Sequence, residues 1–275
     1  MKQRNVIITG CSSGIGRCVA EGLKERGYRI FATARKKRDV DALIESGFES
    51  VQLDLANSAS IHSAFETILQ KTGGEIYALF NNGAYGQPGA VEDLSRDVLR
   101  QQFEVNLFGT HELTNLVLPV MRKQGYGRII HNSSVLGFVA LKYRGAYNTT
   151  KYALEGLADT LRLELMESDI HISLIEPGPI ESRFRKNALT AFEENISVEK
   201  SPFKKVYKKL EERLKAEGPV VPFTLKPEAV LDKVLHALES KKPKPRYYVT
   251  FPSYLFGYLK RVFSTRMMDK VLNKV

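Results

Sequence analysis

Three side chains in the middle of the sequence could together transfer a proton. Tyr147 and Lys151 lie in GAYNTTKYALEG, residues 145–156, and Ser134 lies 13 residues before the tyrosine. On a helix, positions i and i+4 share a face, so the ammonium can lie close to the phenol. A cation stabilises the phenolate and lowers its pKa from about 10. The spacing predicts an acid–base site, although a lone Tyr-x-x-x-Lys also occurs on ordinary surface helices.

The N-terminal region has the pattern of a strand, a glycine-rich turn and a helix. Residues 5–16 read NVIITGCSSGIG, an apolar run followed by Gly10, Gly14 and Gly16, and an amphipathic stretch comes next. Such glycines let backbone N–H groups approach a pyrophosphate, which the helix N-terminus also attracts. The spacing differs from the G-x-G-x-x-G fingerprint, and a plain glycine–serine turn is the alternative.

Length and composition predict one compact α/β domain. The 275 residues are 43% hydrophobic and 26% charged, which is enough to bury a substantial core. Short, mostly β-rich runs alternate with helical patterns; these runs are residues 5–9, 29–33, 76–80, 128–132 and 170–175. We therefore expect a doubly wound parallel sheet, the Rossmann fold, in a single domain over residues 1–275.

The cysteines and histidines argue against disulfides and metal sites. Cys11 and Cys18 lie in the glycine-rich turn and its helix, where small packing residues are expected. The five histidines show no zinc-like spacing. Because a predicted strand starts within a few residues of Met1, there is no room for a cleavable signal, and we expect a cytoplasmic protein.

Taken together, these segments resemble the short-chain dehydrogenase/reductase family over about residues 4–185. The family's signatures occur here in order: a TGxxxGxG turn, an NNAG-like segment, four catalytic residue types and a PG motif after a late strand. The hydroxysteroid and retinol dehydrogenase branch is the most similar one. The resemblance implies hydride transfer between a nicotinamide and a carbonyl carbon.

The resemblance also implies a role for each catalytic residue. Ser134 holds the carbonyl oxygen, Tyr147 protonates it, and Lys151 lowers the tyrosine pKa and grips the nicotinamide ribose. Asn106, at a kink in a predicted long helix, anchors a water chain. Ser133 supports the turn.

A larger set of residues is expected to bind the cofactor. By resemblance these are Gly10, Ser12, Ser13, Gly14, Ile15, Gly16, Arg35, Asp54, Leu55, Asn82, Tyr147, Lys151, Pro177, Ile180 and Ser182. Ser182 stands where threonine is commoner. In LFNNGAYG, Gly83 and Ala84 are exchanged relative to NNAG, which would matter if the second position needs a positive φ.

The end of the second strand bears on the choice of cofactor. NAD-selective relatives end it with an acidic residue, whereas IFATARKKR places Ala34 and Arg35 there. A guanidinium can clamp a 2′-phosphate with paired hydrogen bonds, so NADP(H) is favoured. The alternative is that these basic residues form a solvated loop.

Residues 183–226 are expected to cover the substrate as a lid of one or two helices with an apolar inner face. The apolar residues are Phe184, Leu189, Phe192, Ile196, Phe203 and Tyr207. These side chains either line an apolar pocket or form part of the core, and the sequence favours neither interpretation over the other. An apolar aldehyde or ketone fits this lid better than a sugar or an acid.

Residues 241–275 form a basic, aromatic C-terminal segment. Nine Lys/Arg stand against one acid there, which contributes +8 of the formal +10. Residues 247–259 are too short to span a bilayer but are aromatic and flanked by cations, as in interfacial segments. Peripheral contact with anionic lipid and packing over the domain or a subunit interface are equally weighted. Nucleic acid is not expected, because no recognition motif accompanies the charge.

The sequence thus predicts an enzyme that reduces an apolar aldehyde or ketone to an alcohol with NADPH, reversibly. The alternative is an NADP(H)-binding redox sensor with little turnover. The family resemblance further implies a homodimer or homotetramer that assembles through the helices carrying Asn106 and Tyr147.

Overall fold

Seven parallel strands form the sheet of this protein, whose computed structural model describes residues 3–275. The strands are β1 (Asn5–Ile8), β2 (Arg29–Ala34), β3 (Glu49–Gln52), β4 (Ala78–Asn81), β5 (Gly127–Asn132), β6 (Ile170–Glu176) and β7 (Arg246–Tyr248). Their order in the sheet is β3-β2-β1-β4-β5-β6-β7.

Eleven α-helices flank the sheet in the described part of the chain. They are α1 (Gly14–Glu25), α2 (Lys37–Glu45), α3 (Ser58–Lys71), α4 (Arg96–Phe103), α5 (Gly109–Gln124), α6 (Gly145–Glu164), α7 (Phe184–Asn195), α8 (Lys204–Lys215), α9 (Glu228–Glu239), α10 (Phe251–Val262) and α11 (Thr265–Leu272). Short 3₁₀ turns occupy Val91–Asp93, Val135–Gly137 and Val198–Lys200. A π-helical turn, Glu104–Phe108, joins α4 to α5, so the two run as one long helix.

Each of the five apolar runs seen in the sequence overlaps a strand, with residues 76–77 and 9 falling outside β4 and β1, and the predicted doubly wound fold in one domain is confirmed. Side chains alternate across the sheet as strand geometry requires. Val6 and Ile8 of β1 pack with α1, α2 and α9 on one face, whereas Ile7 packs with α3, α5 and α6 on the other. The two outermost strands, β3 and β7, were not among the predicted runs. Both are short, and β3 is only partly buried, so neither has a continuous apolar pattern.

The strand order reverses between β1 and β4, which opens a crevice at the carboxyl edge of the sheet. In doubly wound folds ligands bind at this switch point. The glycine-rich turn follows β1 there, Asn82 follows β4, Ser134 follows β5 and Pro177 follows β6. The fold therefore gathers four segments of the predicted site at one edge.

Cys11 and Cys18 are both free thiols. Cys11 is completely buried and donates its thiol to the carbonyl of Ile8 at 3.3 Å, and burial raises its pKa to about 12. It is a packing residue, and its thiol stays protonated and unreactive at neutral pH. Among residues 3–275 no cluster of histidine, cysteine and acidic side chains could hold a metal ion. Nor does any helix of these residues have the length and apolarity needed to cross a bilayer.

One close backbone contact sets the position of the long helix. Gly109 begins α5, and a Cβ atom added there would lie 1.9 Å from the carbonyl oxygen of Leu55. No side chain fits at that distance, so the helix packs directly on the loop that follows β3.

We expect Gly109→Ala to lower the free energy of unfolding by more than about 2 kcal/mol, because the methyl group must displace backbone atoms. Gly156→Ala is the matched control. It lies inside α6 with nothing within 4 Å of its added Cβ, so alanine should stabilise the helix by roughly 0.5–1 kcal/mol. Urea denaturation measures both changes; equal effects of the two substitutions would refute the close-approach explanation.

Candidate active site

Ser134, Tyr147 and Lys151 converge at the carboxyl end of β5. Helix α6 places Tyr147 and Lys151 one turn apart, with the lysine Nζ 5.5 Å from the centroid of the tyrosine ring. The Ser134 hydroxyl lies beside the Tyr147 phenol and acts to lower its pKa. The serine is largely buried, and its Oγ also accepts a hydrogen bond from the Leu136 N–H at 3.1 Å. The structure thus brings together the three residues that the sequence spacing singled out.

The electrostatics of this group differ from the expectation. Burial raises the pKa of Tyr147 to about 12, although the neighbouring Ser134 hydroxyl and the charge of Arg144 act in the opposite direction. Burial also lowers the pKa of Lys151 to about 8. The Lys151 ammonium donates to the backbone carbonyl of Asn132 at 2.7 Å rather than to the phenol. Desolvation therefore outweighs the nearby positive charge in setting the pKa of Tyr147, and the expected lowering of that pKa by Lys151 stays a prediction.

Ser133 and Ser134 have separate tasks. Ser133 donates its hydroxyl to Glu155 and is turned away from the tyrosine, as its expected supporting role requires. Its backbone N–H donates to the Ile175 carbonyl at 2.7 Å, which ties the turn to β6. Only Ser134 presents its hydroxyl to the phenol.

Asn106 lies in the π-helical turn and is buried, not solvent-facing. Its Oδ1 accepts from the Tyr85 N–H at 3.2 Å, and its Nδ2 donates to the Tyr85 carbonyl at 2.9 Å and to Thr150 Oγ1 at 3.2 Å. A π-turn widens a helix locally and often marks a functional site. Here it places the amide where it fastens α6 to the segment that follows β4.

The glycine-rich turn has the shape of an anion cradle. Gly10 has φ +72°, and an added Cβ there would lie 2.9 Å from the Cα of Gly83. A Cβ on Gly16 would lie 2.3 Å from the Gly10 carbonyl oxygen. Helix α1 begins at Gly14 with no acidic residue in its first turn, and the Ser13 side chain makes no capping hydrogen bond. The turn with Ser12, Ser13 and Ile15 therefore fits the diphosphate of a dinucleotide.

Asn82 clamps three strand ends together. Its Nδ2 donates to the Thr9 carbonyl at 2.9 Å, and its Oδ1 accepts from Asn132 Nδ2 at 2.9 Å. Neither Gly83 nor Ala84 has a positive φ. The exchange of these two residues relative to the family pattern consequently introduces no backbone strain.

The other predicted cofactor contacts lie around the same crevice. Arg35 directly follows β2, is exposed and makes no ion pair within residues 3–275, whereas Lys37 and Arg38 pair with Asp41 and Asp39. Asp54 and Leu55 follow β3. The Asp54 carboxylate accepts from the Ala56 N–H at 3.0 Å, and Leu55 is buried.

The loop after β6 reaches the glycine-rich turn. The Ser182 Cβ would lie 2.9 Å from a Cβ added to Gly14. Ile180 forms a parallel bridge with Leu225, and the Pro177 carbonyl accepts from the Val135 N–H at 2.8 Å. Pro177, Ile180 and Ser182 therefore lie along one path between the serine turn and α1.

The segment 183–226 contains α7 and α8, and its apolar residues divide into two groups. The Phe184 ring packs edge-on against Tyr147, with 5.3 Å between ring centroids. The other residues named from the sequence pack among themselves, with Ala90 and Leu94, in a separate cluster; these are Leu189, Phe192, Ile196, Phe203 and Tyr207. Of the six residues, Phe184 is the one in ring contact with the tyrosine, and the others are mainly core.

Sequence reasoning missed Arg144, which caps the N-terminus of α6. Its side chain makes no hydrogen bond or ion pair with the described residues. Burial, followed by the charge of Arg213, lowers its pKa to about 10. Because Arg144 lies three residues before Tyr147, helical periodicity could have placed it on the tyrosine face.

A buried charge network behind the serine turn was also missed. Arg246 of β7 donates to Glu155 at 3.0 Å, to Asp159 at 2.7 Å and to Glu176 at 3.1 Å. Glu176 is completely buried, and burial, followed by the charge of Glu155, raises its pKa to about 9 against the opposing charge of Arg246. The position of Glu155 four residues after Lys151 was a signal available in the sequence.

The amino-acid sequence is similar to those of many known proteins. The family described as short chain dehydrogenase matches residues 4–192. The chain is 42% identical over 270 residues to "Uncharacterized oxidoreductase YbbO" of Escherichia coli strain K12, covering 98% of this chain and 94% of that one. It is 30% identical to "NADPH-dependent 3-dehydrocapnine reductase" of Ornithobacterium rhinotracheale, covering 98% and 96%. It is 32% identical to human "17-beta-hydroxysteroid dehydrogenase type 1", covering 91% and 78%.

Solved structures show the same fold. A short-chain dehydrogenase from Streptomyces avermitilis superposes with a TM-score of 0.77 at 26% identity, covering 99% of this chain and 96% of that one. A short chain dehydrogenase/reductase from Burkholderia phymatum in complex with NAD superposes with a TM-score of 0.78 at 23% identity, covering 99% and 95%. At 23% identity, the similarity to the structure from Burkholderia phymatum concerns the fold alone.

The raised pKa of Glu176 predicts a pH-dependent contribution to stability. The folded chain holds this proton at pH values where the unfolded chain, with an ordinary pKa near 4.5, has released it, so the contribution falls as pH rises above about 4.5. Glu176→Gln removes the titration and keeps the side chain's shape. We expect the free energy of unfolding of the wild type, relative to this variant, to fall by up to about 1.4 kcal/mol per pH unit in urea denaturation.

Glu49→Gln is the control for this titration. Arg29 lowers the pKa of Glu49, so that carboxylate is charged in both states across the same window and its removal leaves the slope unchanged. A wild-type minus Glu176→Gln difference that is flat with pH would contradict the assignment of a buried, protonated Glu176.

Proposed function

Because the chain belongs to the short-chain dehydrogenase family of nicotinamide-dependent oxidoreductases, we propose that it reduces an apolar aldehyde or ketone to the alcohol with NADPH, reversibly. The observation that carries this proposal is the grouping of the buried Ser134 and Lys151 around Tyr147, with the lysine Nζ 5.5 Å from the centroid of the tyrosine ring. In the proposed reaction these groups hold a carbonyl oxygen and supply its proton.

Each side chain has a definite task in this reaction. Ser134 donates its hydroxyl to the carbonyl oxygen and polarises it. Tyr147, whose pKa of about 12 keeps it protonated at neutral pH, gives its proton to the same oxygen as negative charge develops there. Bound NADPH supplies the hydride to the carbonyl carbon. Lys151 and Arg144 add positive charge around the oxygen, and Lys151 is also positioned to hold the nicotinamide ribose.

An apolar substrate is supported by the surroundings of the tyrosine. The Phe184 ring covers one side of Tyr147, and a Cβ atom added to Gly86 would lie 2.6 Å from the Phe184 Cζ. Helices α7 and α8 form the proposed lid, whose apolar core holds Phe184 over the site and limits access by water. A related human protein named for a hydroxysteroid also points to a lipophilic ligand.

The preference for NADPH is supported by the end of β2. Arg35 is exposed and unpaired among the described residues, and no carboxylate stands at this position to repel a 2′-phosphate. One relative at 30% identity is named as NADPH-dependent. The Burkholderia phymatum structure that contains NAD shares only its fold with this chain, so it does not bear on the cofactor preference. The argument for NADPH therefore depends on Arg35.

The proposal includes a homo-oligomer that assembles through the long helix and α6. Exposed apolar side chains on these helices support it, since isolated monomers seldom expose many on adjoining helices. These residues are Leu99, Phe108, Tyr152, Leu157, Leu163 and Met166.

Turnover is tested with purified protein, NADPH or NADH, and aldehydes and ketones of increasing chain length, including retinal and a ketosteroid. We expect NADPH oxidation to rise with substrate apolarity. Tyr147→Phe should lower kcat by about 10²- to 10⁴-fold, because the proton donor is lost, while NADPH fluorescence still reports binding.

Tyr152→Phe is the matched control, since Tyr152 is exposed on another face of the same helix and should keep full activity. NADPH binding without turnover of any compound would favour a redox sensor. Undiminished turnover by Tyr147→Phe would refute the proton-transfer role.

Arg35→Ala tests the choice of cofactor. Loss of a charge-assisted hydrogen bond, worth about 1.5–3 kcal/mol, should raise the Kd for NADPH roughly ten- to a hundredfold and leave that for NADH unchanged. Arg38→Ala, which removes a cation already paired with Asp39, should alter neither constant. A wild type that prefers NADH, or equal weakening of both cofactors by Arg35→Ala, would overturn the proposal.

A further inference from the structure

Helix α10 has an apolar face that the rest of the chain does not cover. Phe251, Tyr254, Leu255, Tyr258 and Val262 follow one another at helical spacing and are 54%, 52%, 37%, 66% and 60% exposed. The opposite face of the helix is the one that packs, through Ser253, Phe256 and Gly257. Globular proteins usually turn the apolar side of a surface helix inward, so this uncovered stripe calls for a partner.

A second segment extends the same apolar surface. Phe223, at the end of the proposed lid, is 55% exposed, and its ring lies 4.7 Å from that of Phe251. Its backbone has φ +61°, which is costly for a bulky residue. The chain therefore holds a strained conformation that presents an aromatic ring outward, and strain of this kind is typical of functional positions. We call Phe223 and the five exposed residues of α10 the α10 surface.

Unpaired cations lie on α10 and on α11, the helix that follows it. Arg261, Arg266 and Lys270 are exposed, and none of them makes an ion pair within the described residues. Residues 251–275 hold five Lys/Arg and a single acid, Asp269. Aromatic side chains beside basic ones suit the boundary between lipid headgroups and acyl chains, where rings enter the boundary and cations meet phosphates.

The α10 surface lies beside the candidate active site. Helix α10 begins after Thr250, whose Oγ1 accepts a hydrogen bond from the Gly178 N–H at 3.1 Å in the loop after β6. Its buried Phe256 belongs to the cluster with Val135 and Leu136, directly after Ser134. A partner on this surface would therefore lie close to the carboxyl edge of the sheet.

We propose that the α10 surface docks peripherally on a bilayer with anionic headgroups. A second copy of the chain fits less well, because a two-fold contact would bring two strongly basic faces together. The stripe is also confined to one helix and one neighbouring ring, which is small against the roughly 800 Å² per partner that stable dimers bury. An anionic bilayer complements both the positive charge and the apolar face of the α10 surface. Docking needs no catalytic turnover, so this proposal can be tested independently of the proposed reaction.

Docking is tested by sedimentation of the full chain with phosphatidylcholine vesicles that contain or lack phosphatidylglycerol. We expect binding only with the anionic lipid, and weaker binding as salt rises. Tyr258→Ser with Val262→Ser should lower the partition constant roughly tenfold or more, because apolar area leaves the interface. Arg261→Gln with Lys270→Gln should lower it by about fivefold for each charge.

Matched controls come from other faces of the protein. Ile44→Ser with Val91→Ser removes comparably exposed apolar groups away from both α10 and the proposed oligomer contact, and Lys208→Gln with Lys209→Gln removes two charges from α8; neither pair should change binding. No binding of the wild type, or equal losses in the α10 and control variants, would overturn the proposal. Light scattering without lipid that shows a dimer only when Tyr258 and Val262 are intact would assign the surface to a second copy instead.

Discussion

The guanidinium of Arg246 is shared by three acidic side chains, and the position of the candidate site depends on these shared hydrogen bonds. Buried carboxylates are costly unless a well-placed cation pairs with them. A guanidinium offers five donors in a fixed plane, which allows one side chain to serve Glu155 and Asp159 from α6 and Glu176 from β6. The last strand of the sheet is thereby fastened to the helix that carries Tyr147 and Lys151.

Ser133 connects this network to the turn that carries Ser134. Its hydroxyl donates to Glu155 while its backbone N–H donates to β6, so the serine turn has one fixed position relative to α6. Ser134, the next residue, consequently faces the phenol. Asn106 fastens the same helix from its other side through Thr150. Preorganised donors of this kind stabilise charge as it develops, because they need not reorient during the reaction.

The environment of the tyrosine is both desolvated and positive. Lys151 is buried, and its ammonium donates a hydrogen bond to the backbone carbonyl of Asn132 rather than to a carboxylate. Arg144, at the start of the same helix, makes no ion pair with the described residues. Desolvation keeps the phenol protonated, while both cations favour negative charge on a nearby oxygen. This environment suits the proposed role of Tyr147 as proton donor to an oxygen that becomes anionic.

Local periodicity and fixed spacing in the amino-acid sequence suffice to predict the parallel sheet, the glycine-rich turn and the grouping of Ser134, Tyr147 and Lys151, because these are properties of short segments. They do not predict β3 and β7, whose short edge segments lack an apolar run. The direction of the pKa shifts of Tyr147 and Lys151 follows from the folded arrangement instead, since burial depends on every element packed around these side chains. The network of Arg246 likewise joins residues up to 91 positions apart, and such contacts exist only once the chain has folded.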